Sequence, residues 1–190
     1  MRSQAEFLTD LLTRLNQAGL EYMLTGSMAS NYWGIPRTTH DADVVLALER
    51  EQVDRVIEAF QSGFFIQPES VRSAFRPPSH FNVLDELSAM KADFWLLQNT
   101  PFEQTAFSRR VPVRLFDISA WIATPEDVIL HKLYWNRLTP SDRQLEDAAG
   151  VYAVQGDRLD CAYIHHWAAY LNVQQEWEQI ITGTRRPKDS

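Results

Sequence analysis

The chain holds a single cysteine, Cys161, among its 190 residues. That excludes an internal disulfide framework and suits a reducing compartment. Positive charge is also short, with 18 Lys and Arg against 25 Asp and Glu and a net charge of -7. Sequence-blind coating of nucleic acid depends on cationic groups that release counterions, so the acidic balance argues against it. Short basic pairs, Arg109-Arg110 and Arg185-Arg186, remain available to hold an RNA phosphate, although solvated surface is their default use. No stretch approaches the ~20 apolar residues of a membrane span. The segment from Met1 to Gly19 carries Asp10 and polar residues where a signal peptide needs an unbroken apolar core. Repeats and low-complexity tracts are absent as well. The expectation is a soluble, cytoplasmic protein with no membrane partner.

What is present is core material. A hydrophobic fraction of 45% and an aromatic fraction of 12% fit a packed globular chain, long enough for one sizeable domain with a helical extension. Phe7, Leu8, Leu11, Leu12 and Leu15 recur at helical spacing before Gly19. Residues 21–25 read as a short buried strand, and Gly26-Ser27 opens a short helix with Ser27 in a capping or first-turn role. Residues 41–48, rich in Val and Leu, read as a central strand, and 51–61 as an amphipathic helix. A strand is expected at 64–66, a mobile loop at 68–78, a hairpin from 80–84 and 90–97, and one further strand at 111–118. The sequence Thr124-Pro125-Glu126-Asp127 is a capping signal that starts a helix, and helical patterns follow near 141–154, 161–171 and 173–182. The fold class is α+β, a mixed β-sheet flanked by helices with a helical C-terminal part. The boundary falls between 1–122 as the core and 123–190 as the helical region.

Chemistry concentrates in two blocks. The first is Leu24-Thr25-Gly26-Ser27 followed by Arg37-x-Thr39-x-Asp41-x-Asp43. On a strand, Asp41 and Asp43 share one face about 7 Å apart, close enough to converge on the same divalent cations. A glycine-serine turn offers backbone N–H groups and a hydroxyl to phosphate oxygens. The second block is Lys91-Ala92-Asp93-Phe94-Trp95-Leu96, in which Asp93 interrupts an apolar strand. A carboxylate there is costly unless paired, solvated or bound to metal, and Lys91 is one partner that could simply salt-bridge it. Each feature alone is ordinary: strand ends carry solvated aspartates and glycine-serine pairs form common turns. Their combination points to metal-dependent phosphoryl transfer, since magnesium prefers hard oxygen ligands.

The pattern resembles the nucleotidyltransferase superfamily with the DNA polymerase beta-like fold, and within it the bacterial AbiEii toxin-like nucleotidyltransferases. The stretch Ala123-Thr124-Pro125-Glu126-Asp127-Val128-Ile129-Leu130-His131-Lys132-Leu133 is similar to that group's lysine-bearing helix. Asp142-Arg143-Gln144-Leu145-Glu146-Asp147 resembles the acidic segment after it. The resemblance covers about Leu24 to Ala149. It implies that Asp41, Asp43 and Asp93 form a catalytic acidic triad holding Mg²⁺ in a two-ion site. Gly26, Ser27 and Lys132 would hold the triphosphate of an NTP substrate, with Arg37 and Thr39 positioning the loop or touching phosphate and Asp147 in support. The implied reaction moves a nucleoside monophosphate onto an acceptor hydroxyl, on an RNA end, a protein or a small molecule, and releases pyrophosphate. The alternative is a catalytically silent nucleotide-binding module acting through a protein partner, such as an antitoxin-like protein in a toxin–antitoxin pair.

Taken by itself, Lys132 reads as a lysine that snorkels from an apolar helix face. His40 and His131 read as ordinary polar neighbours of the motifs. Cys161 and His165 lie four apart on a helix, but without a matching second pair the spacing is incidental. Trp33 and Tyr32 are expected in packing, with base stacking as the other use.

Overall fold

Strand-forming and helix-forming segments alternate along the first two thirds of the chain, and helices alone fill the last third. The computed structural model describes residues 2–184. In chain order the elements are α1 (Gln4–Gln17), β1 (Glu21–Thr25), α2 (Gly26–Trp33), β2 (Asp41–Ala47), α3 (Val53–Phe60), β3 (Phe64–Ile66), α4 (Pro68–Ser73), β4 (His80–Asp85), β5 (Lys91–Leu96) and α5 (Pro101–Ser108). They continue with β6 (Val111–Leu115), β7 (Ile118–Ile122), α6 (Pro125–Leu138), α7 (Asp142–Gln155), α8 (Cys161–Leu171) and α9 (Gln174–Ile181). Two compact units result. The first holds the chain up to Thr25 together with Thr39–Ile122, and the second holds Gly26–Thr38 together with the chain from Ala123 onward. The Arg185-Arg186 pair lies outside the described residues.

The first unit contains a seven-stranded mixed sheet in the order β3-β4-β5-β2-β1-β7-β6. β2 runs parallel to β5 and β1 parallel to β7, while the other neighbours are antiparallel. Alternation on β2 sends Ala42, Val44 and Leu46 to one face, where Ala92 and Phe94 of β5 and Phe81 and Val83 of β4 join them in full burial. Phe60 of α3 and Phe7 of α1 close on this layer. Ring centroids lie 5.5 Å apart for Phe60–Phe94, 5.4 Å for Phe60–Phe64 and 6.2 Å for Phe7–Phe64, and Phe81 stacks on Phe94 at 4.9 Å. Helix α1 starts at a capping box between Ser3 and Glu6 and buries the five apolar residues whose spacing announced it. The opposite face of the sheet carries Asp41, Asp43 and Asp93.

Two sequence expectations change here. The stretch expected as a mobile loop at 68–78 contains α4, which Pro68 starts and Val71 anchors as its fully buried residue. One apolar anchor in six residues leaves no periodicity to read. The single strand expected at 111–118 is a hairpin of β6 and β7, reversing at Phe116 and Asp117 with φ of 47° and 65°. A two-residue hairpin turn of type I′ needs positive φ at both positions, and phenylalanine is not among the residues that announce one. Helix α5, opened by the Thr100 cap and Pro101, was not anticipated.

In the second unit, Gly26 takes φ of 59°, a left-handed conformation that costs glycine little, at the point where β1 ends and α2 begins. Gly34 ends α2 against the backbone of α7: a Cβ there would lie 2.7 Å from the Val151 nitrogen and 2.9 Å from the Gly150 carbonyl carbon. Only glycine permits that approach. Trp33 is held in packing, donating from Nε1 to the Ala123 carbonyl at 2.8 Å. Helices α6, α7, α8 and α9 complete the unit, with Trp177 fully buried against Tyr152.

The α6 cap is a buried polar cluster. Thr124 Oγ1 accepts from the Asp127 backbone N–H and donates to Asp127 Oδ2 at 2.7 Å, and Tyr163 donates its hydroxyl to Asp127 Oδ1 at 2.6 Å. Thr124→Ala removes a cap and one donor to a carboxylate that is 0% exposed. A loss of about 1–2 kcal/mol is expected, read as a lower urea midpoint at unchanged slope, with Thr124→Ser close to wild type.

Candidate active site

The acidic residues meet in the first unit through strand register. Asp43 sits opposite Asp93 on parallel β5 and opposite Thr25 on antiparallel β1, so the three form one row across the sheet. Asp41 begins the next row with Lys91 as its partner. Neighbouring strands are about 4.8 Å apart, which puts Thr25 and Asp93 on one face to either side of Asp43, each one strand spacing from it. Thr39, just ahead of β2, donates its hydroxyl to Asp41 Oδ1 at 2.5 Å and orients that carboxylate.

Asp93 is held unevenly. Its Oδ2 accepts from Lys91 Nζ at 2.6 Å, while its Oδ1 is buried without a hydrogen-bond partner, His80 Nε2 standing 3.5 Å away. Thr25 Oγ1, fully buried in the same row, also has no hydrogen-bond partner. Two such oxygens beside an aspartate are costly in a folded protein unless something binds them. The Lys91 ammonium is stabilised in its charged form, first by its hydrogen bond to Asp93 and then by the fields of Asp93, Asp41 and Asp43, and its pKa is raised above 10.5. The lysine therefore faces all three acids.

Hard carboxylate and hydroxyl oxygens on one face, two of them unpartnered, are donors that suit magnesium. The residues fit such an ion. Among the described residues no three His, Cys, Asp or Glu side chains are already gathered as a metal cage. Of this cluster, Thr25 was not singled out from sequence; its place immediately before the glycine-serine pair, on the strand that precedes the acids, was the available signal.

The second unit gathers a different set. Arg37 grips Asp147 with a two-pronged contact, Nε to Oδ1 at 2.7 Å and Nη2 to Oδ2 at 2.8 Å, and the same Nη2 donates to Ser27 Oγ at 2.8 Å. Asn31 clamps the Arg37 backbone, accepting from its N–H at 3.0 Å and donating to its carbonyl at 2.7 Å. Lys132 is 2% exposed and donates to Asp147 Oδ2 at 2.8 Å. It does not snorkel: its charge is buried and paired. Burial alone would push the Asp147 carboxyl up, but the Arg37 hydrogen bond and the Lys132 charge outweigh it and hold the pKa below 3.8. Arg37 and Lys132 thus converge on one carboxylate beside the first turn of α2. Gly26 and Ser27 open that turn.

The remaining candidates separate from both clusters. His131 is buried beside Trp135 at a ring distance of 5.9 Å. His165 is engaged locally, with Nδ1 2.6 Å from the Cys161 carbonyl and Nε2 accepting from Trp177 Nε1 at 3.3 Å. The Cys161–His165 spacing therefore serves helix packing.

No protein-family model and no curated protein matches the chain. Solved structures do. An antigenic nucleotidyltransferase-like protein from Paracoccidioides brasiliensis superposes with a TM-score of 0.60 at 14% identity, covering 98% of this chain and 94% of that one. The chain has the nucleotidyltransferase-like fold. ANT(2'')-Ia in complex with adenylyl-2''-tobramycin superposes at 0.60 with 12% identity, over 92% of this chain and 99% of that one. The solution structure of the antibiotic-resistance factor ANT(2'')-Ia superposes at 0.61 with 12% identity. Among the described residues no helix is long and apolar enough to cross a membrane.

Proposed function

We propose that the chain is a magnesium-dependent nucleotidyltransferase that moves a nucleoside monophosphate from an NTP to an acceptor hydroxyl and releases pyrophosphate. The observation that carries this reading is the row Thr25–Asp43–Asp93, with Asp41 one step away and two of its oxygens buried without hydrogen-bond partners. Asp41, Asp43 and Asp93 are the residues that would hold the ions. Such ions, when bound, neutralise the triphosphate and lower the pKa of an attacking hydroxyl.

The protein's own groups do the rest. Asp93, lying deepest in an apolar strand, orients the acceptor hydroxyl and takes its proton as the oxygen attacks the α-phosphorus. Thr39 fixes the Asp41 carboxylate. Within the second unit, Arg37 and Lys132, both held by Asp147, and the backbone N–H groups of the Gly26–Ser27 turn are groups whose chemistry suits phosphate oxygens. ANT(2'')-Ia, which shares the fold, is seen in complex with adenylyl-2''-tobramycin, and this supports including hydroxylated small molecules among the acceptors tested. RNA ends and protein side chains are the other acceptor classes. The AbiEii-like, toxin–antitoxin reading rests on the sequence blocks around Asp41 and Lys132 alone.

The experiment is label transfer from each of the four α-³²P NTPs, with Mg²⁺, into RNA, protein and small-molecule fractions of a cell extract. Label in one fraction names the acceptor class. A second reading has its own observation: the Lys91 ammonium already pairs with Asp93, which suits a silent nucleotide-binding module acting through a partner protein. NTP binding with no labelled fraction and no pyrophosphate would establish it.

A further inference from the structure

Lys91 stands where a cation would stand. It begins β5 two residues before Asp93, so its side chain emerges on the same face of the sheet as the acids. It is the register partner of Asp41, and its Nζ lies 2.6 Å from Asp93 Oδ2. Its side chain is 40% exposed against 10% for Asp93, so the stem enters from solvent and only the ammonium reaches the carboxylates. Asp93 Oδ1, the other oxygen, stays buried without a hydrogen-bond partner. The acidic face thus carries its own positive charge on a flexible four-carbon tether.

From this arrangement we infer that Lys91 is a tethered counter-ion of the acidic triad, which competes with divalent cations for Asp93 and keeps the nucleotide-free site weak for metal. The inference rests on the proposed metal site and adds to it a control on when the site loads. Three carboxylates on adjacent strands repel one another, and the ammonium relieves that repulsion while no metal is bound. A divalent ion arriving alone must displace the ammonium and gains correspondingly less. One arriving on an NTP brings phosphate oxygens that can take up the released ammonium, so metal and nucleotide load together. A partly exposed lysine can leave without unfolding the strand, whereas a buried one could not.

The test is Mn²⁺ binding to the full chain without nucleotide, followed by the electron paramagnetic resonance of free Mn²⁺ at low ionic strength. Wild type is compared with Lys91→Met, Lys91→Gln and Lys91→Arg after circular dichroism has shown that each is folded. Removing a positive charge a few ångströms from the ion should tighten Mn²⁺ binding by about tenfold in Lys91→Met and Lys91→Gln, and Lys91→Arg should stay within about twofold of wild type. Heating the same proteins gives a second readout. The Met and Gln variants should unfold earlier than wild type in EDTA and be rescued by Mn²⁺, with wild type nearly indifferent to the metal. Equal affinities across all four proteins overturn the tethered counter-ion and leave the metal site standing. No Mn²⁺ uptake by any of them overturns the metal site itself, and with it the nucleotidyl-transfer reading.

Discussion

Asp43→Asn is expected to lower nucleotidyl transfer by at least about a thousandfold while leaving the protein as stable as wild type or more so. Asp43 is the centre of its row, with Thr25 on one side and Asp93 on the other. An amide there keeps the shape and strand pairing but removes a hard anionic ligand, so divalent ions held there as proposed would be bound more weakly and would neutralise less of the triphosphate's charge. Stability should not suffer, because the substitution also removes one of three carboxylates crowded on the same face. Transfer of α-³²P label measures the first effect and a thermal unfolding midpoint the second. Asp41→Asn should act the same way, with the additional loss of the charged acceptor for the Thr39 hydroxyl. Full activity in both variants, with unchanged metal dependence, would remove the acidic pair from the mechanism.

The largest stability effect is expected at Asp147. Asp147→Asn leaves Lys132, 2% exposed, with a neutral amide in place of its counter-ion, and it breaks the two-pronged contact with Arg37. Uncompensated burial of one member of an ion pair costs about 3–5 kcal/mol, a loss that chemical denaturation would show plainly. Replacing both Lys132 and Asp147 with apolar residues should cost less, since no lysine charge is then left buried without Asp147 and the part-exposed Arg37 can turn to solvent. The effect depends on pH in a definite direction. The Asp147 carboxyl is held below 3.8 in the folded protein by Arg37 and Lys132 against the opposing push of burial. Its contribution is therefore complete above the unfolded value of about 3.9 and is lost as the pH falls through the lower folded value. The gap between wild type and Asp147→Asn should be constant near neutrality and close only below about pH 4. A gap that did not narrow at all as the pH fell through the acid range would show that Asp147 acts through shape and not through charge.

Much of the architecture was legible because periodicity and punctuation agree. The apolar stripe from Phe7 to Leu15 announced α1, the Val-rich run after Asp41 announced a central strand, and Thr124-Pro125 announced the start of α6. What escaped was short or lacked its usual marker. Helix α4 buries one residue, α5 had a cap but no stripe, and the β6–β7 turn uses Phe116 and Asp117 at positive φ where Asn-Gly would have been conspicuous. The nature of Lys132 also escaped. A lysine on an apolar helix looks like one bound for solvent, and the arrival of Asp147 from α7 gives its buried charge a counter-ion that the helix alone does not reveal.

The sequence by itself determined that Asp41 and Asp43 share a face, because alternation along a strand is local and leaves no choice. It also determined the glycine at Gly26 and the cap at Thr124, both settled by neighbours a few residues away. Only the tertiary structure decided that β5 runs parallel to β2 in the register that sets Asp93 beside Asp43 and Lys91 beside Asp41. A shift of one residue would have turned Asp93 to the buried face beside Phe81, and Phe94 out among the acids, so it is burial of the apolar face that holds the register. The same holds for Arg37, Lys132 and Asp147, which lie up to 110 residues apart and meet only because the packing of three segments buries Lys132 and Asp147 together and brings the part-exposed Arg37 onto the same carboxylate.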